Sequence, residues 1–449
     1  MTGLRIELRR STALWAGLLV LVAGTGMMWL VSSASGKWRG NSTSALLELR
    51  TPLTYVWALV VGLAVFQGMR DSRARVTELF ESTSRPGWVR LGTLASAVAS
   101  VVTIATVLLC AGVVAVVAFG GGFVSIGFVP LVVTTVLALA SSVLLGIAVG
   151  RMLPHPLTAP VALVTTLMLA QLAYQGSDVQ SADDEMSGLA LLTPVLNAPY
   201  SDLVTTSTSV DLGQIVWFTG LGVTAFLLLV AKTYRGRLVA LVPAGLAVAI
   251  ALSIMPTRIS DVLVTDSIAG KLVCDGRVCV SQLHAGDLPK AAAVGREVLA
   301  KLAVLPDPPT EIREDTSAMA HLEAPQHNSK IVYFESQDHP RVLTLTPEQI
   351  RLELLAGAGV PSCSTPNQFH SREGIVRHLT AGYFNGELAE LASESYLWGN
   401  ERARSEMEAV WQALRSQPAQ EQLNRITKAR QMLLACEDSE GVLTMLAAR

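Results

Sequence analysis

Charge is what this sequence has least of. Only 16% of its 449 residues are Asp, Glu, Lys or Arg, where a soluble globular protein carries about a quarter. The shortfall is local. Residues 1–256 hold 15 Lys/Arg and 11 Asp/Glu; residues 257–449 hold 19 and 25, a balance of 19 − 25 = −6. The first part is therefore apolar and slightly basic, the second ordinary and mildly acidic, and the chain divides near Pro256. Neither part has the basic stripe that nucleic acid requires. No Gly-x-x-x-x-Gly-Lys-Ser/Thr occurs, since Gly270-Lys271 is followed by Leu272; the chain is not expected to hydrolyse ATP itself. No His-Glu-x-x-His occurs either, which argues against a zinc peptidase. Internal repeats and low-complexity tracts are missing. These absences argue against an enzyme, and no catalytic residue, cofactor or metal is expected.

What is present in abundance is long apolar runs. A helix crossing the hydrocarbon needs about 20 mostly apolar residues. Runs at 13–33, 52–69, 92–119, 128–150, 158–175, 214–232 and 238–256 qualify, and none contains an internal Lys, Arg, Asp or Glu. The length of the first, with no convincing cleavage site, argues against a removed leader. The expected fold is an α-helical polytopic bundle of about seven transmembrane helices (1–256), followed by a mostly helical α+β domain (257–449).

Orientation follows from Lys and Arg in short loops, which favour the cytoplasmic side. With the N-terminus inside, the inner segments carry Arg5, Arg9, Arg10, Arg70, Arg73, Arg75, Arg85, Arg90, Arg151, Lys232, Arg235 and Arg237. The outer ones carry only Lys37, Arg39 and Arg50. Segment 176–213 has six acidic residues and no basic one, which suits the outside. Seven crossings then deliver 257–449 to the extracytoplasmic side. The weak joint is Thr233–Arg237, between the last two runs. Were those one broken helix, the final domain would face the cytoplasm.

Cysteine is rare and uneven: Cys110 lies in the third run, while Cys274, Cys279, Cys363 and Cys436 lie in the soluble part. Four thiols permit three pairings, and an oxidising compartment keeps such pairs formed. Cys274–Cys279 and Cys363–Cys436 are the favoured pairs, with unpaired buried cysteines as the alternative. A two-residue Asp275-Gly276 turn would not set Cys274 opposite Cys279, so that pair implies a four-residue loop. Zinc is disfavoured because a second Cys-x-x-Cys is lacking. His321 and His327, with Glu323 between, are six apart and not on one helix face; solvated histidines are the simpler reading.

In the soluble part, 257–285 alternates as strands do. Residues 287–303 read as a helix, and Ile331–Phe334 and Val342–Leu345 as strands. Thr346-Pro347-Glu348-Gln349 opens a helix with a capping box and Pro in the first turn. Beyond Ser371 helices are expected over 372–384, 387–397, 401–416 and 419–436. Trp398, Trp411, Leu414, Leu423, Ile426, Met432 and Leu433 are expected core contacts.

The most informative loop is the inner one from Arg70 to Leu91. Val76, Leu79 and Phe80 fall at i, i+3 and i+4, flanked by arginines that suit anionic headgroups and by Trp88, which suits the membrane interface. Thr77-Glu78-Leu79-Phe80-Glu81-Ser82-Thr83-Ser84-Arg85-Pro86, then Trp88 and Arg90, resembles the inner loop of type-2 ATP-binding-cassette exporter permeases, especially actinobacterial ones. The resemblance covers this loop and the span layout, about 230 residues; the seventh run and the final domain depart from the usual six-span pattern. It implies a multi-pass protein of a bacterial plasma membrane, acting as a homo- or heterodimer of membrane subunits. It also implies a cytoplasmic ATPase subunit docking on 71–90, with Glu78, Leu79, Phe80, Arg85 and Trp88 as the docking residues. Gln67, Gln171 and Tyr174, with Thr103 and Thr106, are polar candidates for a pathway, although uncharged polar residues more often bridge helices. With no charge inside the runs, ion-coupled transport lacks its usual residues. A membrane-anchored display of the final domain, without transport, is the other reading.

Overall fold

The computed structural model describes residues 13–35, 40–73, 87–178, 184–196, 201–318, 326–335, 341–363 and 371–448. The chain forms two compact units, Met1–Val264 and Thr265–Arg449.

The first unit runs α1 (Ala13–Ser35), α2 (Ser42–Glu48), α3 (Leu53–Gly68), α4 (Gly87–Phe119), α5 (Val129–Met152), α6 (Thr158–Gln175), β1 (Val204–Thr206), α7 (Thr208–Val230), α8 (Tyr234–Ala240) and α9 (Val242–Ile254). β1 pairs with β2 (Leu263–Thr265), where the chain leaves the bundle. The helices are built from Leu, Val, Ala and Ile, and α5 and α9 take a proline in their first turn, where its missing N–H costs no bond. Among the described residues, five stretches are long and apolar enough to cross a membrane: Ala13–Leu30, Trp88–Phe119, Ile126–Met152, Thr208–Val230 and Tyr234–Ile254. A sixth candidate is the pair α2–α3, bent by 57°. The expected fifth run, α6, is helical but not among them; it is long enough, but polar Gln171, Tyr174 and Gln175 near its C-terminal end make it less apolar than the others. α4 exceeds its expected run: 33 residues without a proline span about 50 Å, against about 30 Å of hydrocarbon.

Small residues let the central helices close. On α5, a Cβ at Gly150 would lie 2.1 Å from the Val65 carbonyl, and one at Gly146 would lie 2.6 Å from Ala64 Cβ. Gly146 and Gly150 form a small-xxx-small pair, the pattern by which helix backbones meet where lipid offers no hydrophobic drive. Trp57 Nε1 donates to Ser142 Oγ at 2.7 Å. The last two runs form an antiparallel pair, since Gly213 meets Met255, Gly220 meets Ala247, and Ala244 N donates to Thr224 Oγ1. They are not one broken helix. Residues 231–233 make the reversal, and Thr233 caps α8 by accepting from Gly236 N.

The second unit holds a four-stranded sheet in the order β3 (Leu272–Asp275), β4 (Val278–Ser281), β5 (Glu311–Glu314), β6 (Ile331–Phe334). β3 and β4 form an antiparallel hairpin; β4, β5 and β6 run parallel. Helix α10 (Leu288–Leu302) carries the chain from β4 to β5, and its Ala292, Val298 and Leu302 are buried. Then come α11 (Pro347–Leu355), α12 (Ser371–Asn385), α13 (Glu401–Arg415), α14 (Ala419–Leu434) and α15 (Ser439–Ala447). The capping box at Thr346 and Gln349 is formed. Leu414, Ile426 and Leu433 are core residues, with Trp398, Trp411, Leu423 and Met432 packed against them.

Three local readings need correction. Val342–Thr344 is a single 3₁₀ turn, with Thr344 Oγ1 bonded back to the Arg341 carbonyl. Residues 387–397 are mostly irregular, with only a 3₁₀ turn at Ala392–Glu394 and a helical turn at Ser395–Trp398. The Cys274–Cys279 hairpin has a two-residue turn at Gly276-Arg277, in place of the expected four-residue loop. Asp275 pairs with Val278 and Cys274 with Cys279. Gly276 takes φ 63° at the first turn position, the left-handed conformation a tight hairpin of this kind asks of a glycine there.

Candidate functional site

The expected docking segment leaves α3 through the helical turn Arg70–Arg73 and returns at α4. Glu78, Leu79, Phe80 and Arg85 lie outside the described residues. Both ends of the loop are anchored. Arg90 Nη2 meets Asp71 Oδ2 at 2.5 Å, so the points of departure and return touch. The Arg73 guanidinium lies 4.3 Å from the centre of the Phe66 ring, a cation–π contact. Trp88 is 56% exposed at the start of α4. Residues 74–86 lie outside the described residues, and the points between which they run are joined by this ion pair.

The pathway candidates do not converge. α5 runs parallel to α3, as the Trp57–Ser142 and Val65–Gly150 contacts require, and α6 returns after the short link 153–157. α3 and α6 meet where Gly62 faces Leu163. Gln67 is five residues beyond that contact in one direction and Gln171 eight in the other, about 20 Å apart along the helices. Gln67 is buried, Gln171 and Tyr174 half-buried. Thr106 is buried and bonds its own helix at the Val102 carbonyl.

The first unit's most polar interior was not singled out in the sequence. Arg50, counted only as an outer-loop charge, is 2% exposed. Its Nε donates to the Pro194 carbonyl at 3.0 Å and its Nη2 to Gln214 Oε1 at 2.9 Å. Gln214 Nε2 donates in turn to the Leu191 carbonyl. Nearby, α2 is buried along nearly its whole length, and Asn41 and Ser44 bond to Asp202. This network pins segment 188–196, which opens with the helical turn Gly188–Leu191, to the bend between α2 and α3. The signal was Glu48-Leu49-Arg50-Thr51-Pro52, a charged break ahead of a proline that ends one helix and starts another.

In the second unit both expected cysteine pairs stand at bonding distance, 2.09 Å for Cys274–Cys279 and 2.16 Å for Cys363–Cys436. The latter has a neighbour that spacing could not reveal. His327 Nε2 lies 3.4 Å from Cys363 Sγ, 3.8 Å from Cys436 Sγ and 3.2 Å from the Pro361 carbonyl. His321 and Glu323 lie outside the described residues.

Ser281, His284 and Glu314 look at first like a nucleophilic set, but the geometry denies it. Ser281 Oγ and Glu314 Oε1 both contact the same ring nitrogen, His284 Nδ1, at 3.1 and 2.7 Å. A relay needs the base to face its two partners with different nitrogens. His378 is a buried structural residue, its Nδ1 bonded to the Gly374 carbonyl and its Nε2 accepting from Leu391 N. Beside it Glu394 pairs with Arg377 at 2.8 Å. Burial opposes the ionisation of Glu394, but the His378 ring and the Arg377 guanidinium outweigh it and hold the carboxyl below the usual glutamate range.

Comparison with protein-family models, with curated proteins and with solved structures finds no match to this chain.

Proposed function

We propose that this chain is the membrane subunit of an ABC-type exporter, driven by a separate cytoplasmic ATPase that docks on the 71–90 loop. In this reading α6 and the bent α2–α3 pair each cross, giving seven spans with the N-terminus cytoplasmic and the second unit extracytoplasmic. Two copies, or two related subunits, would form the translocating pair, and the second unit would shape an outer vestibule, a gate or a partner site. The observation that carries the proposal is the closed neck of the inner loop. Asp71 and Arg90 touch while Trp88 stays exposed, so a segment whose sequence is amphipathic and arginine-flanked begins and ends at one place. Twelve inner against three outer basic residues support the sidedness. Two cysteine pairs in the second unit suit an oxidising compartment.

The test is affinity purification of the full chain from its host in detergent. Wild type should bring down a Walker-motif ATPase, and Glu78→Ala/Phe80→Ala should lose most of it at equal expression. Undiminished recovery with the double variant would remove the docking assignment. A second reading, a membrane-anchored display of the second unit, is favoured by that unit's own separate core. It predicts that no ATPase is recovered, while the fragment 265–449 retains the partners of the full chain.

A further inference from the structure

We infer that His327, Cys363 and Cys436 form a redox-gated site for a thiophilic divalent cation of the zinc class, closed while the disulfide is intact and opened by its reduction. The inference is independent of transport. The three ligand atoms lie within 4.8 Å of one another. In a tetrahedral zinc site with sulfur at about 2.3 Å and imidazole nitrogen at 2.0–2.1 Å, the sulfur–nitrogen edge is about 3.6 Å. The two edges here are 3.4 and 3.8 Å. The ring nitrogen therefore stands at metal-site distance from both sulfurs before any metal arrives, and to bind it gives up its hydrogen bond to the Pro361 carbonyl as the ring proton shifts to Nδ1. Once the sulfur–sulfur bond opens, the two sulfurs separate toward van der Waals distance, close to the sulfur–sulfur edge of about 3.8 Å in such a site. A fourth position would fall to water or to a carbonyl, those of Pro361 and Leu433 each being 3.2 Å from a ligand atom.

Reduction would be of little use if it let the ligands drift, and a second feature prevents that. Arg430, on α14, is buried and clamps the same three segments without involving sulfur. Its Nε donates to the Ala358 carbonyl at 3.1 Å, its Nη1 to the Asp307 carbonyl at 3.0 Å and its Nη2 to the Ser329 carbonyl at 2.6 Å. Ala358 leads to Cys363, Ser329 follows His327, and α14 ends at Leu434, two residues before Cys436. Cys363 is further held by its N–H on Glu373 Oε1 at 2.6 Å. Cys436 sits in the left-handed position after α14, φ 50°, where Glu437 N closes the helix on the Met432 carbonyl at 2.9 Å.

The chemistry balances with a dithiol as reductant. The Cys363–Cys436 bond breaks, and two electrons and two protons pass from the dithiol to the two sulfurs. The dithiol's own sulfurs close into a disulfide. The cation then displaces both protons as it binds the thiolates and the neutral imidazole.

The experiment uses the full chain in detergent with Cys110→Ala, Cys274→Ser and Cys279→Ser, leaving only the pair in question. After reduction by a dithiol and anaerobic desalting, Co²⁺ is titrated in. One Co²⁺ per chain should bind, with thiolate charge-transfer absorption and tetrahedral d–d bands, and Zn²⁺ should displace it. Adding Cys363→Ser should abolish the charge-transfer signal of the pair. His327→Ala should weaken binding by more than the about 10–100-fold typical of losing an outer-shell partner. Absence of the thiolate band, an unchanged His327→Ala, equal binding by the oxidised chain, or a chain that unfolds on reduction and is not restored by cobalt would each overturn the proposal.

Discussion

The two units solve opposite packing problems. The first leaves Trp15, Leu108, Leu172 and Val239 exposed while it buries Arg50, Asn41, Asp202 and Gln214. In the second, the only exposed large apolar side chains among the described residues are Ile268, Val304 and Tyr396. A bundle meant for lipid has no hydrophobic drive to hold its helices together, so it relies on small residues at close backbone contacts and on hydrogen bonds between its segments. The second unit has water outside, a conventional apolar core and two covalent staples. Each unit is stable for reasons that would fail in the other's surroundings.

That contrast can be tested first at the staples. In the chain-entropy model a bridge spanning 73 residues is worth about 4 kcal/mol and one spanning five about 2 kcal/mol. Cys363→Ser/Cys436→Ser should lower the second unit's melting transition far more than Cys274→Ser/Cys279→Ser. Neither should move the transition of the first unit in calorimetry of the full chain. A next, smaller effect compares two equally exposed aliphatic residues, Leu108 on α4 at 55% and Val304 at 57%. Leu108→Arg should cost about 2.5–3.5 kcal/mol of membrane insertion, and Val304→Arg about 0.5 kcal/mol or less of stability. Equal effects in a membrane-fractionation assay would erase the distinction. The smallest concerns acid. A glutamate held below its ordinary value contributes stability at neutral pH and above, and loses it as the carboxyl protonates on the acid side of 4.5. The second unit should therefore lose stability as pH falls through that range. Glu394→Gln should flatten the slope of its acid-unfolding curve followed by circular dichroism.

The same contrast explains what could be read in advance. Helix positions in the bundle were legible because apolar length is a strong signal. Their number was less so, because α6 packs its polar residues into one end and α2–α3 bends at a charged break. The capping box at Thr346 and both cysteine pairs were legible because each depends on few residues at short range, or on a small set of thiols. β5 was not, because Glu311-Ile312-Arg313-Glu314 reads as a charged loop until its alternate residues Ile312 and Glu314 are seen to be buried. Arg50 was not, because charge counting assigns a side but not a depth. The sequence sets His327 beside His321 and Glu323. Its real neighbours are cysteines 36 and 109 positions away. Of the expected docking residues, Trp88 is exposed beside the Asp71–Arg90 pair, and the polar residues expected to line a pathway are divided between opposite ends because α3 and α6 run opposite ways.

Helix α4 has one further implication. It is a single rod from Gly87 to Phe119, with no proline and no break, whereas α8 and α9 are parted at Leu241. A rod has no joint in which a push can be lost. Trp88 at one end and Phe119 at the other are therefore linked by some 50 Å of continuous helix, so a displacement at the 71–90 segment can be carried the length of α4.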